Sequence, residues 1–298
     1  MSNMKSVYGT AKDNYSFKIK LKSTILFIWF VILTIICLLP IYILIVNATR
    51  PDSEITTTLS LIPGSHLKEN WNTLFNDINY SSVFRLWDGY RNSMIITGFA
   101  TLFTVFFSAL TAYGIHVYDF KLKDFSYTVI LLVMMVPTQV TTAGFVSFMS
   151  QLGLTNTYWP LIVPAIAAPA VVYFMRSYMK SSFPLDIVEA ARIDGSSEFR
   201  TFLTIAIPMM KPAIAVQAIF AFIANWNNLY TPSMILATAE RTQRTVPMMI
   251  QGLQASEKFT DLGVIYLAIA LSILPIIIVY VLLSKFIIAG VALGGVKE

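Results

Sequence analysis

EAARIDGSSEFRTFLTIAIP, residues 189–208, governs the reading of the whole chain, because it is a polar segment with helix-and-turn spacing set between two runs apolar enough to cross a bilayer. Just upstream, Pro184 sits where a helix start tolerates a missing N–H, and Asp186 suits the positive end of a helix dipole. Gly195 can take the left-handed backbone that stops a helix. Ser196 or Ser197 then caps a second helix with Glu198 in its first turn. Phe199, Phe202, Leu203 and Ala206 recur at i, i+3, i+4, i+7, which predicts an apolar stripe turned toward the rest of the protein. On the first helix, Glu189 and Asp194 stand beside the small Ala190 and Ala191, a surface that another body can approach closely. The segment reads as a docking knob.

Working outward, 56% of the 298 residues are hydrophobic, 12% are charged and the mean hydropathy is +0.68, which excludes an ordinary soluble domain. Six apolar runs stand out, at 24–46, 92–113, 126–149, 158–179, 212–236 and 263–288. At about 1.5 Å per residue each covers the roughly 30 Å hydrocarbon core. Backbone groups in lipid must be paired internally, so the expected class is all-α: a polytopic membrane protein with six transmembrane helices. The first run follows Lys18, Lys20 and Lys22 and exceeds the roughly 7 to 15 residues of a signal-peptide core, which predicts a retained anchor. Of the 21 Lys and Arg, 14 fall in segments that share a side with the N-terminus and 7 in the alternating loops, so both termini are expected in the cytoplasm. In the outer loop from 47 to 91, Trp71, Tyr80, Trp87 and Tyr90 fit either interfacial anchors or a small packed cap.

The chemistry of catalysis is missing. Cys37 is the single cysteine, His66 and His116 are the two histidines, and no cluster has metal-ligand spacing. No G-x-x-x-x-G-K-[ST] phosphate loop occurs, so the chain is not expected to hydrolyse ATP by itself. The charge of +5 follows from topology and does not point to nucleic acid. Polar residues do lie at membrane depth: Gln139, Thr141 and Thr142 after Pro137, and Asn225, Asn227, Asn228 and Tyr230 near the end of the fifth run. They fit either hydrogen bonds to the hydroxyls of a polar ligand or hydrogen bonds that hold helices together. The second is a common use of Asn and Gln in a membrane and carries more weight.

The Glu-Ala-Ala, Asp194-Gly195, Ile205 and Pro208 register resembles the EAA loop of binding-protein-dependent ABC importer permeases. RPDSEI at 50–55, NWNTLF at 70–75, RNSM at 91–94, MMVPTQ at 134–139, GLTNTYWPLIVP at 153–164, NWN at 225–227 and the closing FIIAGVALGGVK narrow the resemblance to carbohydrate importers. They are similar to the smaller maltose-type permease. Ser196 departs from the family's usual Ala, Asn228 from a common acid, and Val246-Pro247 from Leu-Pro. The resemblance implies an ABC type I importer permease fold, with a cytoplasmic segment at 1–23, a permease domain at 24–288 containing the EAA loop at 180–211, and a cytoplasmic tail at 289–298. It implies a non-catalytic subunit of a sugar or oligosaccharide importer in the bacterial cell membrane. The implied partners are a second homologous permease, two ATPase subunits that bind ATP and Mg, and an extracytoplasmic sugar-binding protein that meets the loop at 237–262. No cofactor is implied in this chain. Glu189, Ala190, Ala191, Asp194, Gly195 and Pro208 become the ATPase-coupling residues, while Gln139, Thr142, Asn225, Asn227, Asn228 and Tyr230 are candidates for the path. Alternatives are an importer permease for another solute and an ion-coupled secondary transporter. The latter would want an ionisable residue inside a span, where only Arg176, near an end, is present.

Overall fold

In the computed structural model the backbone is described over residues 2–255 and 258–294, and the side chains over 19–137, 140–255 and 258–286. The regular elements among these residues are all helical. They form two compact units.

The first unit comprises Met1–Trp71 and Thr260–Ala270. Helix α1 (Ser2–Asn47) supplies the apolar span Ile19–Asn47. At its end the RPDSEI sequence folds into a clip centred on Arg50. That side chain is 4% exposed; it donates to the Thr58 carbonyl at 3.0 Å, the Thr58 hydroxyl at 2.7 Å and the Glu54 carbonyl at 3.1 Å. A buried guanidinium needs several acceptors, and the backbone curls around it to provide them. Asn70 donates to the carbonyls of Ala48 at 2.9 Å and Arg50 at 3.1 Å. A Cβ at Gly263 would collide with the Arg50 carbonyl and the Asn70 amide, so glycine is what lets the last helix start there.

The second unit comprises Asn72–Phe259 and Leu271–Glu298. Its axis is α2 (Leu86–Val117), whose small buried residues Ala100, Ala109 and Ala112 admit close helix neighbours. The next expected span is divided: α3 (Lys123–Met134) and α4 (Thr138–Gln151) are separated at Met135–Pro137. Pro137 has no N–H and disfavours helix in the residue before it, which breaks the run. The fourth expected span contains a single turn at Trp159–Ile162 and a tight turn at Val163–Ile166, followed by α5 (Pro169–Ser182). The polar loop forms α6 (Asp186–Ile193) and α7 (Glu198–Met209). Helix α8 (Lys211–Trp226) leaves α7 at 80°, and the short α9 (Tyr230–Ile235) completes the fifth expected span. Helix α10 (Val246–Gln254) lies in the following loop, and α11 (Leu262–Gly294) closes the described chain.

Among the described residues four segments are long and apolar enough to cross a membrane, namely Ile19–Asn47, Ile78–Val117, Trp159–Ser182 and Leu262–Phe286, and α8 passes the same test only when joined to α7 across the 80° bend. The expected crossing at 126–149 is therefore not one helix, and 212–236 is a 16-residue helix, a break and a 6-residue helix. Proline placement is the cause in both regions.

Breaks free backbone carbonyls, and α2 and α8 supply donors to them. Thr104 donates to the Ala165 carbonyl at 3.1 Å, beside the tight turn. Pro275 inside α11 removes the N–H that would bond Leu271 four residues back; the Tyr90 hydroxyl donates to that carbonyl, and Trp226 Nε1 donates to Ser272 at 3.0 Å. The RNSM sequence has the converse task of fastening a loop. Asn92 donates to the carbonyls of Thr242 at 2.6 Å and Arg244 at 3.0 Å, while Ser93 accepts the Val246 N–H at 2.9 Å. Asn156, at φ +57°, ties its own turn to Ile235 and Thr238. Of the four aromatics in the 47–91 loop, Tyr80 and Tyr90 pack inward whereas Trp71 and Trp87 are exposed.

Tyr90→Phe is expected to lower the thermal stability of the detergent-purified protein by about 1 to 3 kcal/mol, because the Leu271 carbonyl loses its donor in apolar surroundings. Trp87→Phe, at an exposed ring, should leave it unchanged.

Candidate functional site

The knob is built as the spacing of its residues predicts at its turn and differently on its faces. Helix α6 ends in a paired closure: Ser196 N–H bonds the Ala191 carbonyl at 2.9 Å, and Gly195 N–H bonds the Arg192 carbonyl at 3.0 Å. Gly195 has φ +77° and an added Cβ would meet nothing within 4 Å, so the demand for glycine is conformational and not steric. Ser197 occupies the position before α7 without a side-chain cap, and Ser196 instead accepts from the buried Thr201 hydroxyl at 3.0 Å.

Val188 and Ala191 of α6 are 1% and 6% exposed. Ala191 therefore roots the helix and is not on its outer surface, which corrects its placement beside Ala190. The outer surface carries Glu189, Ala190, Asp194 and Ile193, the last 87% exposed. Glu189 makes no ion pair among the described residues.

The expected stripe on α7 also shifts. Phe202 and Ala206 are buried, but Phe199 is 57% and Leu203 42% exposed. Residues Phe202–Ala206 form a wider π-helical turn, so the inward face runs Phe202, Ala206, Met210 at intervals of four. Pro208, exposed, follows that turn directly, where its missing N–H interrupts regular α-helical bonding. The roots of α6 and α7 enter one apolar cluster with Ala109 and Tyr113 of α2 and Met175 and Met179 of α5. Tyr113 packs on Phe202 at 5.4 Å between ring centroids.

One polar cluster was not foreseen from sequence. Arg192 Nε donates to Glu198 Oε1 at 2.7 Å, and the Tyr118 hydroxyl, just past the end of α2, donates to Glu198 Oε2 at 2.7 Å. The Arg192 guanidinium lies 5.7 Å from the Tyr118 ring centre. Arg192, and then Tyr118, hold the Glu198 carboxyl below the ordinary carboxylate range. Partial burial, reinforced by the bond to Glu198, pushes the Tyr118 phenol up to about 12. Glu198 thus clamps α6, α7 and the end of α2 together. Arg192 and Glu198 are six residues apart across a turn, so helical i,i+4 spacing gives no signal for the pair.

A separate cavity of about 250 Å³ lies among α2, α4, α8 and α9 and the turn before α5. Thr142, Asn225 and Asn228 line it with Thr141 and Thr231. Asn225 Nδ2 donates to the Ala221 carbonyl at 2.8 Å, and Asn228 Oδ1 accepts the Thr231 N–H at 3.3 Å. Asn227 and Tyr230 are exposed and do not line it, and Gln139 falls outside the described side chains.

A family profile for "Binding-protein-dependent transport system inner membrane component" matches residues 104–292. The arabinooligosaccharides transport system permease protein AraQ of Bacillus subtilis (strain 168) is 32% identical over 273 residues, covering 91% of this chain and 94% of AraQ. The trehalose/maltose transport system permease protein MalG of Thermococcus litoralis is 33% identical over 282 residues, covering 93% and 98%. The sn-glycerol-3-phosphate transport system permease protein UgpE of Escherichia coli is 28% identical over 258 residues, covering 86% and 90%. A chain in the crystal structure of a bacterial ABC transporter involved in the import of the acidic polysaccharide alginate superposes with a TM-score of 0.72 at 21% identity, covering 89% of this chain and 96% of that one. This last likeness is one of fold.

The clamp's pH dependence has a definite sign. Because the folded value of Glu198 is lowered from 4.5, its contribution is complete above that value and is lost as pH falls through the lowered one. Hydrogen exchange of α6 and α7 should therefore be slower in wild type than in Glu198→Gln at pH 6 to 8, and the difference should vanish on acidification below the carboxylate range. The pair is about two-fifths exposed and screened by solvent, so the difference is modest.

Proposed function

The chain belongs to the inner membrane components of binding-protein-dependent transport systems, and from that premise we propose that it is the translocation subunit of an ATP-driven importer for a sugar or oligosaccharide. The observation that carries this reading is the α6 knob: its outer face holds an unpaired acid and an exposed isoleucine, while its inner face is rooted in the helix core. Such a lever accepts force from outside the membrane domain. The names of AraQ and MalG support a sugar cargo. UgpE, named for a glycerol phosphate, keeps another small polyol derivative as the second reading. Membership of a binding-protein-dependent family leaves the ion-coupled alternative without support.

In this reading the domain at 24–288 makes six crossings, with the broken α3–α4 pair as the third, and 1–23 and 289–298 are cytoplasmic; residues 295–298 lie outside the described residues. Two ATPase subunits bind ATP and Mg and receive α6 through Glu189, Ala190, Asp194 and Gly195, with the buried Ala191 setting the pose from within and the exposed Pro208 setting the end of α7. A second permease and an extracytoplasmic binding protein complete the assembly. When the ATPases close, α6 moves and the Glu198 clamp carries α7 and the end of α2 with it. The 80° corner at Met210 then turns that displacement into movement of α8, which brings Asn225 to the wall of the cavity. Thr142, Asn225 and Asn228 are the path residues best supported by position; Gln139, Asn227 and Tyr230 remain candidates from sequence.

Glu189→Lys should lose the ATPase subunits on purification. Gly195→Val should retain them in part yet abolish uptake, because a β-branched residue at φ +77° costs about 1 to 2 kcal/mol and redirects the knob without changing its charge. Normal uptake and assembly in Glu189→Lys would remove the acid from the coupling, and normal Gly195→Val would remove the turn.

Sidedness is checked by thiol labelling of intact cells in a Cys37→Ser background. Ser65→Cys should react with an impermeant reagent and Lys121→Cys should not; the opposite pattern would invert the topology.

A further inference from the structure

A second cavity, of about 220 Å³, lies between α9 and α10 and is lined by Ser233, Ala237, Arg244, Met248, Gln251 and Gly252, with Ala255 at its edge. Two of its polar atoms, Ser233 Oγ and Arg244 Nε, are buried without a hydrogen-bond partner among the described residues. An orphaned hydroxyl costs free energy, and an orphaned guanidinium N–H costs more, so their convergence on one cavity is a demand for an acceptor.

The charge of Arg244 is also uncompensated, since the side chain makes no ion pair among the described residues. The acid nearest in sequence, Glu240, instead accepts from the Thr242 hydroxyl at 3.2 Å. The Arg244 backbone is fixed by the Asn92 bond to its carbonyl, and the next two positions are held by burial of Thr245 and by the Ser93 bond to Val246. The side chain is thus presented from a pinned loop. The remaining walls, Ala237, Met248 and Gly252, offer apolar contact and no competing acid.

We propose that this cavity binds a carboxylate, held by the guanidinium of Arg244 and the hydroxyl of Ser233, with the Gln251 amide at its rim. A planar guanidinium matches a carboxylate in both geometry and charge. The volume is about seven times the roughly 30 Å³ share of one water molecule, which suits a single acidic sugar or one acidic side chain. The site is distinct from the larger cavity, because Thr231 and Pro232 of α9 line that one while Ser233 lines this one. The carboxylate has two conceivable sources, a free small acid or an acidic side chain of the binding protein. Only the second rests on the importer reading.

The test uses the full chain in lipid nanodiscs, Cys37→Ser with Ala255→Cys carrying an environment-sensitive fluorophore. It is titrated at constant ionic strength with sodium glucuronate, glucose, or the purified binding protein. A saturable response to glucuronate and none to glucose is expected. Arg244→Gln should raise the half-saturating concentration at least about tenfold, the loss of one charge-assisted bond. Arg244→Lys should recover part of the response, and Ser233→Ala should weaken it less. If glucuronate is silent but the binding protein gives a response that Arg244→Gln removes, the site stands and its ligand is an acidic side chain of that protein. Silence toward both probes, or a response unchanged in both Arg244→Gln and Ser233→Ala, overturns the site and leaves the importer reading untouched.

Discussion

A peptide carbonyl that loses its helical partner inside an apolar bundle must find another donor, and much of the second unit is organised around that requirement. Proline in a span is expensive because it deletes an N–H where water cannot replace it. Here the cost is met locally: Tyr90 and Trp226 reach two carbonyls near Pro275, and Thr104 reaches the one freed in the turn before α5. These side chains come from α2 and α8, which is why those two helices occupy the middle of the bundle. At the turn before α5 and at Pro275, the irregular backbone is served by a polar side chain on a neighbour.

The same economy shapes the coupling segment. The knob is not an appended loop, because its inward residues belong to the apolar cluster that joins α2 and α5. Its outward residues are free to be chosen for a partner. The two faces of an eight-residue helix thus differ sharply, with Val188 and Ala191 packed into the core and Glu189 and Ile193 exposed. The polar clamp around Glu198 adds orientation more than stability, since its members are substantially exposed.

Several features were legible in the sequence because they depend on local chemistry. The helical class, the stop at Gly195 and the first helix of the knob follow from apolar run length, glycine and proline. What escaped depends on geometry that no short spacing encodes. Ala191 turned inward because α6 has one buried stripe and Val188 lies three residues before it. Leu203 turned outward in a π-helical turn, Phe202–Ala206, that replaced the assumed 3.6-residue period, and Phe199 is exposed in the turn before it. Arg192, Glu198 and Tyr118 meet across 80 positions of chain. RNSM was recognisable as a motif, yet its work on the carbonyls of Thr242 and Arg244 joins residues 150 and 152 positions apart.

Helix α1 stands apart from this accounting. The most apolar 18-residue window within Ile19–Asn47 has no buried residue, although Val46 and Asn47 are buried where the helix ends in the tightly bonded Arg50 clip. The clip fixes where the helix ends, and the apolar length before it keeps its whole circumference uncovered by this chain. A helix of this kind must bury that surface in something other than its own fold.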